Sequence, residues 1–455
     1  MRHIHLLAVT AAVLLVPACA APRPIARGNP VTAAKVFPFP TVERTLPNGL
    51  RVFVVTYDSP GLVAYYSVVR TGSRNEVEPG KSGFAHFFEH MMFRGTPSYP
   101  TAKYNAVIKA MGADSNAFTS DDMTVYHILA GASALPTIVT IEADRFQNLA
   151  YPEPEFQKEA RAVLGEYNKS ASDPMQPMLE ALYDHAFTTH TYKHTTIGFL
   201  RDIEDMPNQF AYSRQFFDRY YRPDNVTLLV VGDVTAEQVM PLVEQHYRGW
   251  KTGPARPTVP VEPAQTRQQR ITIPWKAAGM PMLLAGFHTP AFSPDSIDSL
   301  ALEVLAELVF AERSPLYRRL VLDEQKVEHL SGSCDRHVDP NLFTVLARVK
   351  QAKDIPYVED AVYQEIARVA ADGTDDRTLA EVVSRTRYAF ARHLDTADHV
   401  ALVGAEFLAL TGTLSSIEQT FTTLARVTND DVRRVAGQYF APQNRTVVVL
   451  EPEAQ

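Results

Sequence analysis

The sequence predicts an α+β protein made of two homologous α/β sandwich domains, each with a mixed or antiparallel sheet flanked by helices. Three observations lead to this prediction: a segment that occurs twice, a proline-rich stretch between the two copies, and strand-like segments that precede helix-like segments in both halves. At 455 residues the chain is also long enough for two hydrophobic cores.

The repeated segment closes each half of the chain. Residues 220–231, YYRPDNVTLLVV, recur as residues 439–450, YFAPQNRTVVVL, 219 positions later. Each copy has the pattern of a helix end, a Pro-x-Asn turn and an apolar strand rich in β-branched residues. A repeat at this distance predicts a duplicated domain.

We place the domain boundary in the proline-rich residues 252–268, whose composition favours an extended connector. The predicted domains are residues 38–251, which carry the metal motif described below, and residues 269–455, which lack it. Periodicity predicts strands at 50–56, 62–70, 269–274 and 282–288, and helices at 84–93, 136–149, 155–171, 297–310 and 355–371.

Residues 1–20 have the pattern of an export signal, in which Arg2 precedes an apolar run over residues 6–16 and then small residues. The run is too short for a permanent membrane helix, which needs about 20 residues. Cleavage before Cys19, giving a lipid-anchored lipoprotein, and ordinary cleavage after Ala20 both fit this pattern. The expected location is therefore the bacterial cell envelope, either in the periplasm or on the outer membrane through a lipid on Cys19.

Composition excludes some classes of protein. Hydrophobic residues at 45% and charged residues at 21% are typical of a soluble globular protein. A net charge of −8 argues against a nucleic-acid partner, because phosphate binding needs a concentrated basic surface. Beyond the signal region the sequence has one cysteine, Cys334, so no intrachain disulfide is expected.

The segment GFAHFFEHMM, residues 83–92, carries the predicted chemistry. On a helix, His86, Glu89 and His90 fall within about 100° of one face, so two imidazoles and a carboxylate converge. Neutral imidazoles suit zinc, and a catalytic zinc site adds a third protein ligand and a water. Glu89 is then placed to act as the general base. The order H-x-x-E-H is the inverzincin signature.

The predicted helix 155–171 offers the third ligand. Glu159 and Glu166 are seven residues apart and lie on one helical face. Spacing alone cannot choose between them, because one glutamate can bind the metal while the other hydrogen-bonds a histidine from behind. Four further histidines have no partner at ligand spacing and are predicted not to bind metal: His127, His185, His194 and His288.

Taken together, these motifs give the chain a resemblance to the pitrilysin/insulinase family of zinc peptidases, which includes the mitochondrial processing peptidase. It covers nearly the whole mature chain and rests on HFFEH at 86–90, NAFTS at 116–120, TVY at 124–126, the two glutamates, HTY at 190–192, Ile197-Gly198 and both Tyr-x-x-Pro-x-Asn segments. The resemblance implies that Glu166, 76 residues after His90, is the third ligand and that Glu159 supports a ligand. It also implies that Asn116 and Ala117 lie on a sheet edge that pairs with the substrate backbone.

The same resemblance implies a zinc-dependent endopeptidase. The second half has no H-x-x-E-H motif, so one zinc ion per chain is expected. Family members of this length have two related halves, and four halves from two chains enclose a chamber. The expected substrates are therefore peptides or unfolded segments that fit inside it.

One departure from the family pattern concerns the second half. Family members with complete sites carry an arginine and, seven residues later, a tyrosine that steadies the oxyanion, whereas this chain has Val321 and Glu328. Neither can donate to an oxyanion. The sequence therefore predicts the zinc-bearing subunit of a heterodimer whose partner supplies both residues. Substitution by a nearby arginine would instead permit a homodimer; the candidates are Arg318, Arg319 and Arg336.

Two other interpretations compete with an active enzyme. The first is a non-catalytic relative that binds peptides or serves as a scaffold, although such a relative is expected to lose ligands or base, and none is missing. The second is a structural zinc site, which normally has four protein ligands and no spare acid beside it.

Overall fold

Two β-sheets, one in each half of the chain, organise the protein. The computed structural model describes residues 35–277 and 279–452. The predicted export signal at 1–20, with Cys19, lies outside the described residues. We call residues 36–251 the first half and residues 269–452 the second half.

The first half contains strands β1 to β6 and helices α1 to α8. The strands are β1 Thr41–Thr45, β2 Arg51–Thr56, β3 Leu62–Val69, β4 Asp114–Thr119, β5 Thr124–Gly131 and β6 Val226–Gly232. The helices are α1 Phe84–Met91, α2 Thr101–Ala110, α3 Leu135–Asn148, α4 Glu153–Ser170, α5 Met175–Ala186, α6 Leu200–Asp205, α7 Phe210–Tyr220 and α8 Ala236–Tyr247.

The second half contains strands β7 to β11 and helices α9 to α15. The strands are β7 Gln269–Trp275, β8 Met282–Thr289, β9 Val327–Cys334, β10 Asn341–Val349 and β11 Arg445–Pro452. The helices are α9 Ile297–Phe310, α10 Pro315–Tyr317, α11 Ile355–Asp372, α12 Asp376–His393, α13 Ala397–Thr411, α14 Ser415–Leu424 and α15 Asn429–Tyr439, and a π-helical turn, Arg318–Asp323, continues α10.

The two sheets have the same strand order. The first runs β1-β2-β6-β3-β5-β4 and the second β7-β11-β8-β10-β9, so the second repeats the first without β1. In each sheet the strand that closes the half pairs in parallel with one neighbour and antiparallel with the other, β6 with β2 and β3, and β11 with β7 and β8. The predicted α+β class with two related domains is confirmed.

The predicted strands and helices all occur, with ends that differ by at most two residues. Helices α3 and α11 each have a proline in the first turn, Pro136 and Pro356. Proline fits there because the backbone N–H that it lacks would have no partner within the helix. Residues 252–268 contain neither helix nor strand. The domain boundaries drawn there remain a prediction.

The central strands bury both faces. Alternate residues of β3 enter different cores: Tyr65 packs in one with α1 and α3, while Tyr66 packs in another with helices of the second half. A strand covered on both sides is apolar at nearly every position, which explains why β2, β3 and β6 have continuous apolar runs.

Each half covers a sheet of the other half with one of its own helices. Helix α13 of the second half packs on β3 and β6 of the first, and α5 of the first half packs on β8 and β11 of the second. At the first contact Gly404 of α13 lies close to Leu229: a Cβ at position 404 would lie 2.8 Å from a methyl carbon of Leu229, so the leucine side chain would have to move. The two halves are therefore interlocked rather than merely adjacent.

A partly buried polar cluster also joins the halves. Asp339 of the β9–β10 loop accepts hydrogen bonds from Arg74 Nε at 2.5 Å and His190 Nε2 at 2.9 Å. Burial by itself would raise the pKa of Asp339, but these two donors outweigh it and lower the pKa to about 2. The loop is thus held ionically to the first half.

Within the described part of the chain, no single helix has the length and apolar character needed to cross a bilayer. Helices α13 and α14 satisfy those criteria only as a pair, with an 85° bend between them.

Candidate metal centre

Helix α1 presents the H-x-x-E-H residues because its opposite face is buried. Five apolar side chains at or below 1% exposure anchor it to the core, namely Phe84, Ala85, Phe87, Phe88 and Met91. With those positions turned inward, the helical period places His86, Glu89 and His90 together on the other side.

The start of α1 is fixed by two buried features. The Glu76 carboxylate accepts hydrogen bonds from the backbone N–H of Gly83 at 2.7 Å and of Ala85 at 2.6 Å, so it satisfies donors that the first helical turn leaves free. Gly83 has φ of +89°, and a Cβ there would lie 2.6 Å from the Ile197 carbonyl oxygen. Gly198 approaches the same turn equally closely. The Ile197-Gly198 motif therefore braces the helix that carries the histidines.

The structure brings His86, His90 and Glu166 together. Glu166 Oε2 lies 3.6 Å from His86 Nε2 and 3.5 Å from His90 Nε2, and one ligand atom from each residue lies within 4.8 Å of the other two. A tetrahedral zinc ion with bonds of about 2.0–2.1 Å holds its ligand atoms about 3.3 Å apart. The donor set and its spacing therefore fit zinc. Among the described residues this is the one such cluster of histidine, cysteine or acidic side chains.

Glu159 lies behind His90. His90 Nδ1–H donates to Glu159 Oε1 at 3.0 Å, and Arg94 forms an ion pair with the other carboxylate oxygen. Burial alone would raise the pKa of Glu159, whose side chain is 3% exposed, but these two partners hold the pKa below its ordinary value. Because Nδ1 carries the proton, Nε2 of His90 keeps its lone pair toward Glu166. This geometry distinguishes the two glutamates that spacing could not separate.

His86 is held in the neutral form that a metal requires. Burial, together with the neighbouring His90, lowers the pKa of His86 to about 4. Its Nδ1 atom is buried and has no hydrogen-bond partner among the described residues.

Glu89 faces the same space but does not belong to the cluster of three. Its Oε2 accepts a hydrogen bond from Thr119 Oγ1 at 2.7 Å. Burial raises the pKa of Glu89, and the Thr119 hydroxyl opposes that shift. In the sequence, Thr119 belongs to the NAFTS motif, three residues after Asn116. Its place in that motif is the one sequence feature that pointed to a role for Thr119 at this site.

Asn116 and Ala117 lie on β4, at the edge of the first sheet. β4 pairs with β5 on one side only, with Asn116 opposite His127 and Ala117 opposite Tyr126. The backbone N–H of Ala117 donates to the Asn116 side-chain oxygen at 2.9 Å. At Thr119 this edge strand contacts Glu89, beside the metal cluster.

The four histidines predicted not to bind metal lie outside the cluster. His127 stacks on Tyr66, His185 and His288 hydrogen-bond backbone carbonyl oxygens, and His194 is buried beside Glu76.

Val321 and Glu328, which stand where the family pattern has an arginine and a tyrosine, both make other contacts. Val321 lies in the π-helical turn and packs against the core, and Glu328 forms an ion pair with Arg348 at 3.0 Å. Gln325, between Val321 and Glu328, has a positive backbone φ angle of +51°. Neither position presents a donor for an oxyanion.

The nearby arginines differ in their availability. Arg336 is paired with Glu303 through two hydrogen bonds of 2.8 and 3.0 Å. Arg318 is 73% exposed and lies 3.8 Å from Asp323. Arg319 is exposed on the same turn. A paired Arg336 is the least suited of the three to replace the missing arginine.

Comparison with known proteins gives consistent matches to peptidases. The family described as Insulinase (Peptidase family M16) matches residues 54–198, and the one described as Peptidase M16 inactive domain matches residues 211–385. The zinc protease PqqE of Helicobacter pylori is 27% identical over 424 residues, which are 90% of this chain and 92% of that protein.

Solved structures agree with these matches. A crystal structure of a protease from Helicobacter pylori has a TM-score of 0.85 and 26% identity, and the match covers 91% of this chain and 100% of that one. The periplasmic protease PqqL from Escherichia coli has a TM-score of 0.74 at 19% identity, over 90% of this chain and 47% of that chain. The likeness to PqqL shows the fold alone, and PqqL is about twice as long.

Proposed function

The chain belongs to the insulinase family of peptidases, family M16, and from that premise we propose that it is a zinc-dependent endopeptidase with Glu89 as general base. One observation carries the proposal: the ligand atoms of His86, His90 and Glu166 converge within 4.8 Å, and a second acid, Glu89, faces the same space without joining them. A site that only holds a metal for stability has no use for that free carboxylate.

In this proposal the three converging residues hold one zinc ion per chain. Bound zinc would supply Lewis acidity, which polarises a peptide carbonyl and acidifies water. Glu89 takes the proton from the attacking water and returns it to the leaving amine. Thr119 fixes the rotamer of Glu89 through the 2.7 Å hydrogen bond, and Glu159 fixes the ring of His90.

The edge strand β4 provides the substrate contact. An extended peptide can add to this free edge through main-chain hydrogen bonds, beside Asn116 and Ala117, and would then pass next to Thr119 and the metal cluster. Binding of this kind depends on the peptide backbone more than on its side chains, so unfolded segments are the proposed substrate class.

We further propose that the active assembly is a heterodimer. The support is that Val321 packs in the core and Glu328 is paired with Arg348, so the chain supplies no arginine and tyrosine at the family positions. A partner that provides them would complete the site. Turnover of an unstructured peptide at full rate by the purified chain alone would contradict this part of the proposal.

The proposed location is the bacterial cell envelope. It is supported by the export-signal pattern of residues 1–20 and by the 28% sequence identity over 260 residues to E. coli PqqL, which is described as a periplasmic protease. The proposal leaves open whether Cys19 carries a lipid.

The second candidate function is a non-catalytic peptide-binding subunit, which the missing arginine and tyrosine favour. Replacing Glu89 by Gln separates the candidates. If Glu89 is the base, the variant keeps one zinc per chain and loses peptide hydrolysis by about 10² or more. The control is Glu153→Gln on α4, at an exposed position, which should change neither zinc content nor activity.

The matching variants of the ligands should behave differently. His86→Ala and Glu166→Gln should lose both zinc, measured by elemental analysis, and hydrolysis. If Glu89→Gln hydrolyses peptides as fast as the unchanged chain, or if the unchanged chain binds no zinc, the peptidase proposal fails.

A further inference from the structure

A cavity of about 1030 Å³ lies in the second half, next to the metal centre but separate from it. Its walls are formed by α9, α12, α13 and the end of β9, and one side is closed by residues 120–123 of the first half. None of His86, His90, Glu89 and Glu166 lines it. The catalytic proposal therefore leaves this cavity without a role.

The cavity begins where the substrate-binding edge ends. Thr119, the last residue of β4, contacts Glu89, and the next residue, Ser120, already lines the cavity. Extended chain advances about 3.3 Å per residue. A peptide that pairs with β4 at Ala117 would therefore enter the cavity about three to six residues from that point.

The cations of the cavity fall into two groups. Arg313 is paired with Glu307 at 2.7 Å and Arg336 with Glu303 at 2.8 Å. His337 is hydrogen-bonded to a carboxylate of the β4–β5 turn, Asp122, at 3.2 Å. These contacts pair the two acids of α9 and Asp122 with cations. Two further acids, Asp335 and Glu406, also line the cavity, and Glu406 lies 3.9 Å from Arg336.

Helix α12 supplies two arginines that are not paired with acids of the described residues. Among the described residues, Arg385 and Arg392 take part in no ion pair, and Arg385 Nε is buried with no hydrogen-bond partner. They are seven residues apart, on one face of the helix, and Tyr388 lies between them with 65% exposure. The Arg392 guanidinium lies 5.9 Å from the Tyr388 ring centre.

We propose that this cavity is a substrate subsite in which Arg385 and Arg392 bind a carboxylate of the peptide, three to six residues from the residue that faces Ala117. The proposal rests on the proposed peptidase function and adds a substrate preference to it. A guanidinium group forms two parallel hydrogen bonds with a carboxylate, and the partly enclosed cavity weakens the competition from water. The carboxylate comes either from an acidic side chain or from the C-terminus of the peptide.

The test uses peptide binding to the full-length Glu89→Gln chain loaded with zinc, so that turnover does not interfere. Fluorescence anisotropy would measure the affinities of labelled peptides that carry Glu or Gln at each position on either side of the central residue. A second pair, with a C-terminal acid or amide, distinguishes the two sources of the carboxylate.

We expect one acidic peptide to bind about tenfold or more tightly than its neutral partner, and the double change Arg385→Gln with Arg392→Gln to abolish that preference. The neutral peptide should bind both proteins equally, which also checks that the variant is folded. Arg377→Gln is the matched control, because Arg377 is on the same helix, 88% exposed and paired with Glu381.

If no position and neither terminus gives a preference, or if the double variant keeps it, the subsite is refuted. This outcome is distinct from failure of the peptidase proposal. A chain that hydrolyses peptides without any charge preference refutes only the subsite, whereas a chain that binds acidic peptides through α12 but hydrolyses none, even in its native assembly with a partner subunit, refutes only the enzyme.

Discussion

Replacing Glu159 by Gln tests how far a residue that does not contact the metal controls the metal site. Glu159 makes two contacts, one with His90 Nδ1 at 3.0 Å and one with Arg94. Glutamine has nearly the same shape and can still accept a hydrogen bond from His90. The substitution therefore removes the charge while leaving the packing almost unchanged.

The magnitude follows from that lost charge. A hydrogen bond to a charged acceptor is about twice as strong as one between neutral groups, and a loss of about 1.4 kcal/mol is a tenfold change in an equilibrium constant. Changes behind metal-binding histidines typically weaken metal affinity by about 10–100-fold. We therefore expect Glu159→Gln to weaken zinc binding by about tenfold, at the lower end of that range. Arg94 also loses its ionic partner in this variant.

Competition with a chromogenic chelator at fixed pH would measure the zinc dissociation constant of each protein. Glu153→Gln serves as the control, because Glu153 is an exposed residue of the same helix. If Glu159→Gln binds zinc within a factor of two of the unchanged chain, the assignment of Glu159 as a support for His90 is wrong.

Three further predictions follow from the structure. Thr119→Val, which removes the hydroxyl that binds Glu89, should lower kcat by about tenfold with zinc content unchanged, and Thr119→Ser should restore it; equal rates for Val and Ser would contradict the role. Gly404→Val should place a methyl group against Leu229 and lower the free energy of unfolding by about 1–3 kcal/mol in denaturant titrations, and an unchanged midpoint would argue against the interlocked halves. The pKa of Asp339 is lowered from 3.8 to about 2, so the ion pairs of this carboxylate stabilise the folded protein above about pH 4. The free energy of unfolding should fall by about 1–2 kcal/mol between pH 4 and pH 2 because Asp339 becomes protonated. Asp339→Asn should show a smaller fall over the same range.

Much of the site was predictable because it depends on short-range spacing. The helical period alone places His86, Glu89 and His90 on one face, and the seven-residue interval places Glu159 and Glu166 on another. Residue spacing left the choice between the two glutamates open, since they are equivalent along their own helix.

Contacts between distant segments decided that choice. Glu166 lies 3.5–3.6 Å from both imidazole Nε2 atoms, whereas Glu159 meets His90 on its other nitrogen. The direction in which α4 crosses α1 determines which of the two glutamates faces the imidazole Nε2 atoms, and this crossing depends on packing in the core. The contact between Thr119 and Glu89, 30 residues apart, depends likewise on how β4 lies against α1.

The sequence by itself determined the positions of several strands and helices, the internal duplication and the metal motif, because each is recorded in local periodicity or in a repeated segment. The central strands have continuous apolar runs, which in the structure are covered on both faces. Only the tertiary structure decided what covers them: α13 packs on the first sheet and α5 on the second, each donated by the other half. An apolar strand face specifies that it must be buried but not by which helix, since the hydrophobic effect has no direction.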